Sequence, residues 1–279
     1  MHANLIILAG GASSRMNNSL ELGHNVPKVS KALIGMDKDG RPILDYLLYN
    51  AEKAGYKNVY LVVGEHSEGF KKCYGNKTKN NTFKGLNISY AIQYIPKHRA
   101  KPFGTADALF QALEQYPNLQ NEAFTVCNSD NLYSVEAFSV LKNSRDNHAF
   151  IAYNRDGLNF TMDRISRFAL VLLDSENYLV DIVEKPSTDT IDSFKDRFGK
   201  FRVSMNIFKF NGKEIYPFLK DCPIHPKRDE KELPIAVLNM CNSIPRAMKG
   251  FLLSEHVPDL TSKEDISILK TYIQEHYKT

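Results

Sequence analysis

Within the first 155 residues, short apolar runs rich in valine, isoleucine and tyrosine alternate with longer stretches of helical spacing. The run at residues 5–8 precedes a helical face made of Ile43, Leu44, Leu47, Leu48 and Ala51, which ends at Gly55. Strand patterns recur at 58–63 (NVYLVV), 88–94, 123–127 and 149–153, and the partial alternation of 88–94 predicts a more exposed strand. Between them Ala106, Leu109, Phe110 and Leu113 recur at helical spacing, and 135–141 lies in a further helix. This β-α-β-α succession predicts a mostly parallel sheet with helices on both faces. Sheets of that class bind ligands beyond the carboxyl ends of their strands.

After residue 155 the pattern changes. Residues 165–173 and 178–183, separated by DSEN, read as a hairpin. A strand at 201–210, two helical stretches, a strand near 248–253 and a helix from about 262 follow. Residues 227–232 mix both signs of charge and read as the start of an exposed helix. No repeat or low-complexity linker marks a boundary, so 1–279 is expected to be a single domain, with a subdomain beginning near 156 on a shared core.

Composition narrows the function. With 43% hydrophobic and 24% charged residues the chain is of the soluble globular class. A net charge of +4 without one long lysine run gives no nucleic-acid footprint. Cys73, Cys127, Cys222 and Cys241 form no CxxC pair, which argues against a zinc ribbon or disulfide scaffold and fits a reduced cytoplasm. The apolar stretch at 5–9 is too short for a signal peptide, and no run reaches the ~20 residues that span a bilayer. A cytoplasmic protein without membrane contact is expected.

The first strand runs directly into AGGASSRM. Gly10 and Gly11 let the backbone approach a ligand, Ser13 and Ser14 add hydroxyls, and Arg15 supplies a planar fork for phosphate oxygens. A capped strand-to-helix turn would use the same residues. The loop is neither a GxGxxG fingerprint nor a Walker loop, since glycine is missing at Ala12 and Arg15 and no GK[ST] follows.

Five further pieces could carry chemistry. Lys31 precedes an apolar run, from which its ammonium could reach back to phosphates held by the first loop; alternatively it is one solvated lysine among several. Gly104-Thr105 opens a helix after Gln93, whose amide can read a base edge; a plain helix start explains it equally well. Asp130 ends an apolar strand and is a hard oxygen ligand suited to Mg²⁺, unless Asp130 and Asn131 only form a turn. Glu184 and Lys185, in VEKP, could meet sugar hydroxyls and a phosphate, or simply end a strand before Pro186. In DLTSKED, Thr261 or Ser262 with Glu264 or Asp265 makes a capped helix start, which leaves Asp259 over.

Taken in order, these pieces resemble the sugar-1-phosphate nucleotidylyltransferase family, which includes glucose-1-phosphate uridylyl- and thymidylyltransferases. LAGGASSRM is similar to the family's glycine-rich loop, VSKALIGM to its lysine segment, and GRPILDYLLYNAEKAGYKNVYLVVG to the helix and strand that follow. GTADAL, Asp130, FALVLLDSENYLVDIVEKP and the pattern at Asp259 then fall in family order.

The resemblance implies a Rossmann-like, mixed and mostly parallel α/β sheet of the nucleotide-diphospho-sugar transferase type, with a small sugar-binding β subdomain. Nucleotide binding would occupy about 1–155 and sugar binding about 156–279. The implied partners are an NTP (UTP favoured slightly, dTTP open) and a sugar 1-phosphate, and the implied cofactor is Mg²⁺ on Asp130 and Asp259. The implied catalytic residues are Arg15, Lys31 and Lys185. Ala9, Gly10, Gly11, Ser13, Ser14, Gln93, Gly104 and Thr105 would bind nucleotide, and Asn131, Glu184 and Asn206 the sugar. A homo-oligomer is compatible with the resemblance.

Three departures stand out. Ser13-Ser14 replaces the usual Gly-Thr and is closer to molybdenum-cofactor guanylyl- and small cytidylyltransferases. About six extra residues separate Arg15 from Lys31, and Phe168-Ala169 stands where Tyr-Gly is common. A CTP- or GTP-dependent transferase acting on another phosphorylated alcohol is therefore a competing expectation; a non-catalytic nucleotide-sugar sensor is another, against which the presence of Arg15, Lys31, Asp130, Lys185 and Asp259 counts.

Overall fold

The computed structural model describes residues 2–11, 30–166, 168–183 and 191–277. Among the described residues the sheet is built from ten strands. Strand β1 (Asn4–Leu8) lies between β2 (Asn58–Val63) and β5 (Ala123–Asn128) and is parallel to both. Beyond β2 come β4 (Leu86–Ile92), parallel to it, and the short antiparallel edge strand β3 (Asn81–Phe83). On the other side β5 pairs antiparallel with β9 (Arg202–Asn211), which pairs antiparallel with β6 (His148–Asn154). Strand β10 (Met248–Leu253) closes that edge parallel to β6. A hairpin of β7 (Leu170–Leu173) and β8 (Leu179–Val183) leans on β9 through Leu170 and Val203.

The period of two in β1 explains why this strand is central. Leu5 and Ile7 enter one apolar core with helices α1 (Ile43–Lys53), α4 (Val135–Asn143) and α8 (Glu264–His276). Ile6 points the other way, into a core shared with α3 (Thr105–Gln115), α6 (Gly212–Lys220) and α7 (Leu233–Ser243). A strand covered on both faces is nearly continuously apolar, as at Leu5–Leu8, and each fully buried side chain contributes about 1.5–3 kcal/mol.

Four expectations are corrected. The fourth strand is 86–92 rather than 88–94 and is buried: Ile88 and Tyr90 enter one core and Ala91 the other. Its apparent alternation came from Ser89, which is buried too and accepts a hydrogen bond from the Asn80 N–H. The hairpin begins at Leu170, because residues 162–165 form a short helix, α5 (Met162–Ile165). Helix α8 starts at Glu264, with the Asp265 carboxylate reaching back to the Thr261 and Ser262 N–H groups.

Residues 227–232 are not helical. They pair with the segment before α3 and its first turn: Arg99 meets Asp229 at 2.8 Å, the Ala106 N–H donates to the Lys231 carbonyl at 2.9 Å, and the Lys231 N–H donates to the Phe103 carbonyl. Pro234 sets the true helix start at Leu233, since proline is accommodated in a first turn and disfavoured further in. Helix α2 (Glu68–Tyr74) and strand β3 are additional elements for which the sequence carries only short patterns.

Candidate active site

Parallel strands bring their carboxyl ends to one edge. Ala9 leaves β1 with its N–H on the Val62 carbonyl at 2.7 Å, and Ser129 leaves β5 with its N–H on the Leu8 carbonyl at 3.1 Å. Gln93 follows β4, its N–H on the Val63 carbonyl at 2.8 Å. The Ala9–Gly11, Gln93 and Asp130 segments thus share one edge of the sheet, although they are far apart in sequence.

Gln93 is buried, and its amide orientation follows from its neighbours. Nε2 donates to the Gly104 carbonyl and to Asp107 Oδ2, both at 3.0 Å. Asp107 is held in turn by Gln111 Nε2 at 2.9 Å. Both amide hydrogens are therefore engaged, and Oε1 remains as acceptor. It faces Gly10, where an added Cβ would sit only 3.1 Å from it. Gly104 has φ +100° and presses on the Lys231 carbonyl, 2.7 Å from a would-be Cβ, so glycine is required there. Thr105 is the first helical residue, and its hydroxyl accepts the Leu233 N–H at 2.9 Å.

A second cluster lies at the end of β5. The segment 258–260 zips onto 130–132: the Leu260 N–H donates to the Asp130 carbonyl and the Leu132 N–H to the Pro258 carbonyl, each at 2.8 Å. Asn131 and Asp259 face each other across this bridge, which brings Asp259 beside Asp130 although they are 129 positions apart in sequence. Lys31 Nζ lies 3.8 Å from Asp130 Oδ2 and donates to the Thr261 carbonyl at 3.0 Å. Burial and the neighbouring Asp259 charge push the Asp130 carboxyl up to about 6, against the opposing pull of Lys31.

Asp259 has partners that the sequence did not announce. Arg164, from α5, meets Asp259 Oδ2 through Nη2 at 2.5 Å and Asp265 Oδ1 through Nη1 at 2.5 Å. The Thr261 hydroxyl donates to the same Asp259 oxygen at 2.7 Å. Burial works against the Arg164 charge, and the two carboxylates more than offset it, raising its pKa.

Asn206 occupies an irregular point of β9. Its φ is +57°, and the pairing of β6 with β9 shifts register between Phe150 and Ala152. A bulge of this kind re-aims side chains and is common next to functional sites. The Tyr133 hydroxyl fastens the bulge, contacting the Met205 carbonyl at 2.6 Å and the Asn206 carbonyl at 3.3 Å. Tyr133 stands two positions after Asn131, so two of the three expected sugar contacts, Asn131 and Asn206, adjoin one loop.

The structure thus gathers Ala9, Gly10, Gly11, Gln93, Gly104 and Thr105 around one edge, and Lys31, Asp130, Asn131 and Asp259 around the end of β5. Ser13, Ser14, Arg15, Glu184 and Lys185 lie outside the described residues. Among the described residues no three His, Cys, Asp or Glu side chains gather as a complete metal cage. Two carboxylates are nonetheless a suitable partial donor set for Mg²⁺, which takes few protein ligands and shares its sphere with water and substrate phosphates.

A family model described as nucleotidyl transferase matches residues 4–244. The fold is similar to that of a UDP-glucose pyrophosphorylase solved with UDP-glucose, with a TM-score of 0.72, 13% identity and 99% of both chains covered. It is also similar to a protein described as a glucose-1-phosphate thymidylyltransferase of Bacillus anthracis, solved with a sucrose: TM-score 0.69, 16% identity, 99% of this chain and 97% of that one. The mixed, mostly parallel sheet is the architecture that these structures share with it. Among the described residues no helix is long and apolar enough to cross a membrane.

Proposed function

Because the chain belongs to the nucleotidyl transferase family, we propose that it joins a sugar 1-phosphate to a nucleoside triphosphate, releasing pyrophosphate. The observation that carries the proposal is the convergence of Asp130 and Asp259 at the carboxyl end of β5, with Lys31 beside them. A phosphate oxygen of the sugar 1-phosphate attacks the α-phosphorus. The bond from that phosphorus to the bridging oxygen breaks, and pyrophosphate leaves with the electron pair. No side chain acts as nucleophile, so catalysis consists of positioning and charge stabilisation.

Asp130 and Asp259 would hold Mg²⁺, which would supply positive charge to offset the negative charge developing on the phosphates. Lys31 steadies phosphate charge while keeping Asp130 ionised. Arg15 neutralises the β- and γ-phosphates and Lys185 orients the sugar phosphate. Asn131, Glu184 and Asn206 select sugar hydroxyls. Gln93 Oε1, the acceptor left over once its amide hydrogens are engaged, suits the N3–H of a uracil or thymine ring, which favours UTP or dTTP. The part to about residue 155 takes the nucleotide and the remainder the sugar. Widely spaced cysteines, free among the described residues, fit a cytoplasmic setting.

The test is pyrophosphate release from each NTP against a panel of sugar 1-phosphates. Turnover with UTP or dTTP and a hexose 1-phosphate is expected. Turnover confined to CTP or GTP with another phosphorylated alcohol would move the assignment to the reading that Ser13-Ser14 suggests. Absence of turnover, with a melt raised by nucleotide sugars, would make the protein a sensor.

A further inference from the structure

We infer that Arg164 is a positioning residue for the metal carboxylate Asp259, an inference that rests on the proposed Mg²⁺ role of Asp130 and Asp259. The connection between β6 and β7 carries no other part of the proposed machinery among the described residues, yet it sends one guanidinium into the site. The two ends of the fork grip different carboxylates, Asp259 Oδ2 and Asp265 Oδ1, each at 2.5 Å. Its Cζ also lies 4.4 Å from the Phe160 ring centroid, a contact from a third direction.

The grip on Asp265 matters because Asp265 is itself anchored. Its other oxygen accepts the Thr261 N–H at 2.8 Å and the Ser262 N–H at 2.7 Å, which ties the guanidinium to the start of α8. The Thr261 hydroxyl then returns to Asp259 Oδ2 at 2.7 Å and closes the ring Arg164, Asp259, Thr261, Asp265. Asp259 Oδ2 carries both side-chain contacts of this ring, which leaves Oδ1 as the oxygen they do not use. Asp259 and Asp265 side chains are only 13% and 7% exposed, so these charge-assisted bonds act in a weakly screened setting.

A carboxylate on a flexible loop would have to be ordered each time a cation bound. Here the ordering is already done by the fork, and Mg²⁺, with its strict octahedral geometry, gains most from a fixed donor. Lysine in place of Arg164 would keep the charge but cannot span two carboxylates in a plane. Arg164→Lys therefore separates geometry from charge.

The experiment titrates Mn²⁺ into the full chain, reads free ion by EPR, and measures metal dependence of turnover alongside. Wild-type protein is expected to bind Mn²⁺ and Asp130→Asn to lose that binding. Arg164→Lys should bind about 10-fold more weakly, the size of effect typical for partners of ligating side chains. Its NTP KM at saturating metal should stay within about twofold of wild type, and excess metal should restore kcat. Asp265→Asn should reproduce the weakening, since it unfastens the same fork. Unaltered Mn²⁺ binding by Asp130→Asn, or none by wild type, overturns the metal reading and this inference with it. Wild-type affinity in Arg164→Lys, beside an Asp130→Asn variant that no longer binds Mn²⁺, overturns the inference alone. So does a kcat loss in Arg164→Lys that excess metal leaves unrepaired, because a merely structural role predicts that result.

Discussion

Lys31 Nζ stands 3.8 Å from Asp130 Oδ2 while donating to the Thr261 carbonyl at 3.0 Å. One ammonium therefore touches the loop after β5 and the segment that enters α8. Its charge draws the Asp130 carboxyl down against burial and Asp259, which together hold it near 6. Lys31→Gln should raise that carboxyl further. The acid limb of Mn²⁺ binding, followed between pH 5 and 8, is expected to move to higher pH, and kcat at pH 7.5 to fall about 100-fold. An unmoved limb would separate Lys31 from Asp130 electrostatically.

Asp130 itself has opposite effects on stability and on chemistry. Its carboxyl titrates near 6 in the fold against an ordinary 3.8, so the folded protein holds more protons than the unfolded chain across that window. The contribution of this group to stability is full below the ordinary value and is lost as pH rises through about 6. Asp130→Asn removes the unfavourable charge. Without divalent cations, its melt at pH 7.5 should equal or exceed that of wild type, while turnover should fall at least ~100-fold. Calorimetry beside a pyrophosphate assay checks both halves.

Gln93 offers a cleaner split between binding and chemistry. Gln93→Leu removes the acceptor that faces Gly10, while Asp107 keeps its bond from Gln111 at 2.9 Å. The NTP KM should rise about 10-fold, the cost of one buried hydrogen bond, with kcat changed by less than about threefold. Initial rates at varied NTP and saturating sugar phosphate give the two constants separately.

Gly104→Ala tests the shape of the same wall. A Cβ there would meet the Lys231 carbonyl at 2.7 Å, at a φ of +100°. A loss of about 2–3 kcal/mol is expected by urea titration, because backbone strain and a clash act together. Gly40→Ala, at a φ of +73° with open space around it, should lose only about 1 kcal/mol.

The sheet was legible because the two-sided burial of β1, β2 and β5 forces nearly continuous apolar runs, and such runs are visible without knowing their neighbours. Asp130 was legible for a related reason, as a polar residue placed where a buried strand ends, whereas Gln93 was singled out for its amide, inside a strand read as longer and more exposed than it is. Arg164 was not. Its partners lie 95 and 101 positions away, and nothing in its local DRIS setting marks it. The charged segment 227–232 looked helical because alternating signs suit an exposed helix, yet its main chain is claimed by residues 99–106 instead. Asn206 came into view through the family resemblance, whereas the bulge that turns it needs the register of β6 against β9. Long-range pairing, in each case, supplied what local spacing could not.

The most direct measurement follows the α-phosphorus. UTP and dTTP, each labelled at that phosphorus, are incubated separately with glucose 1-phosphate, Mg²⁺ and the protein, and products are separated by mass. The account predicts label in a nucleotide sugar, with one pyrophosphate released per molecule formed. Label recovered only as free nucleoside monophosphate, or unchanged triphosphate with a folded protein across the whole sugar panel, would contradict it.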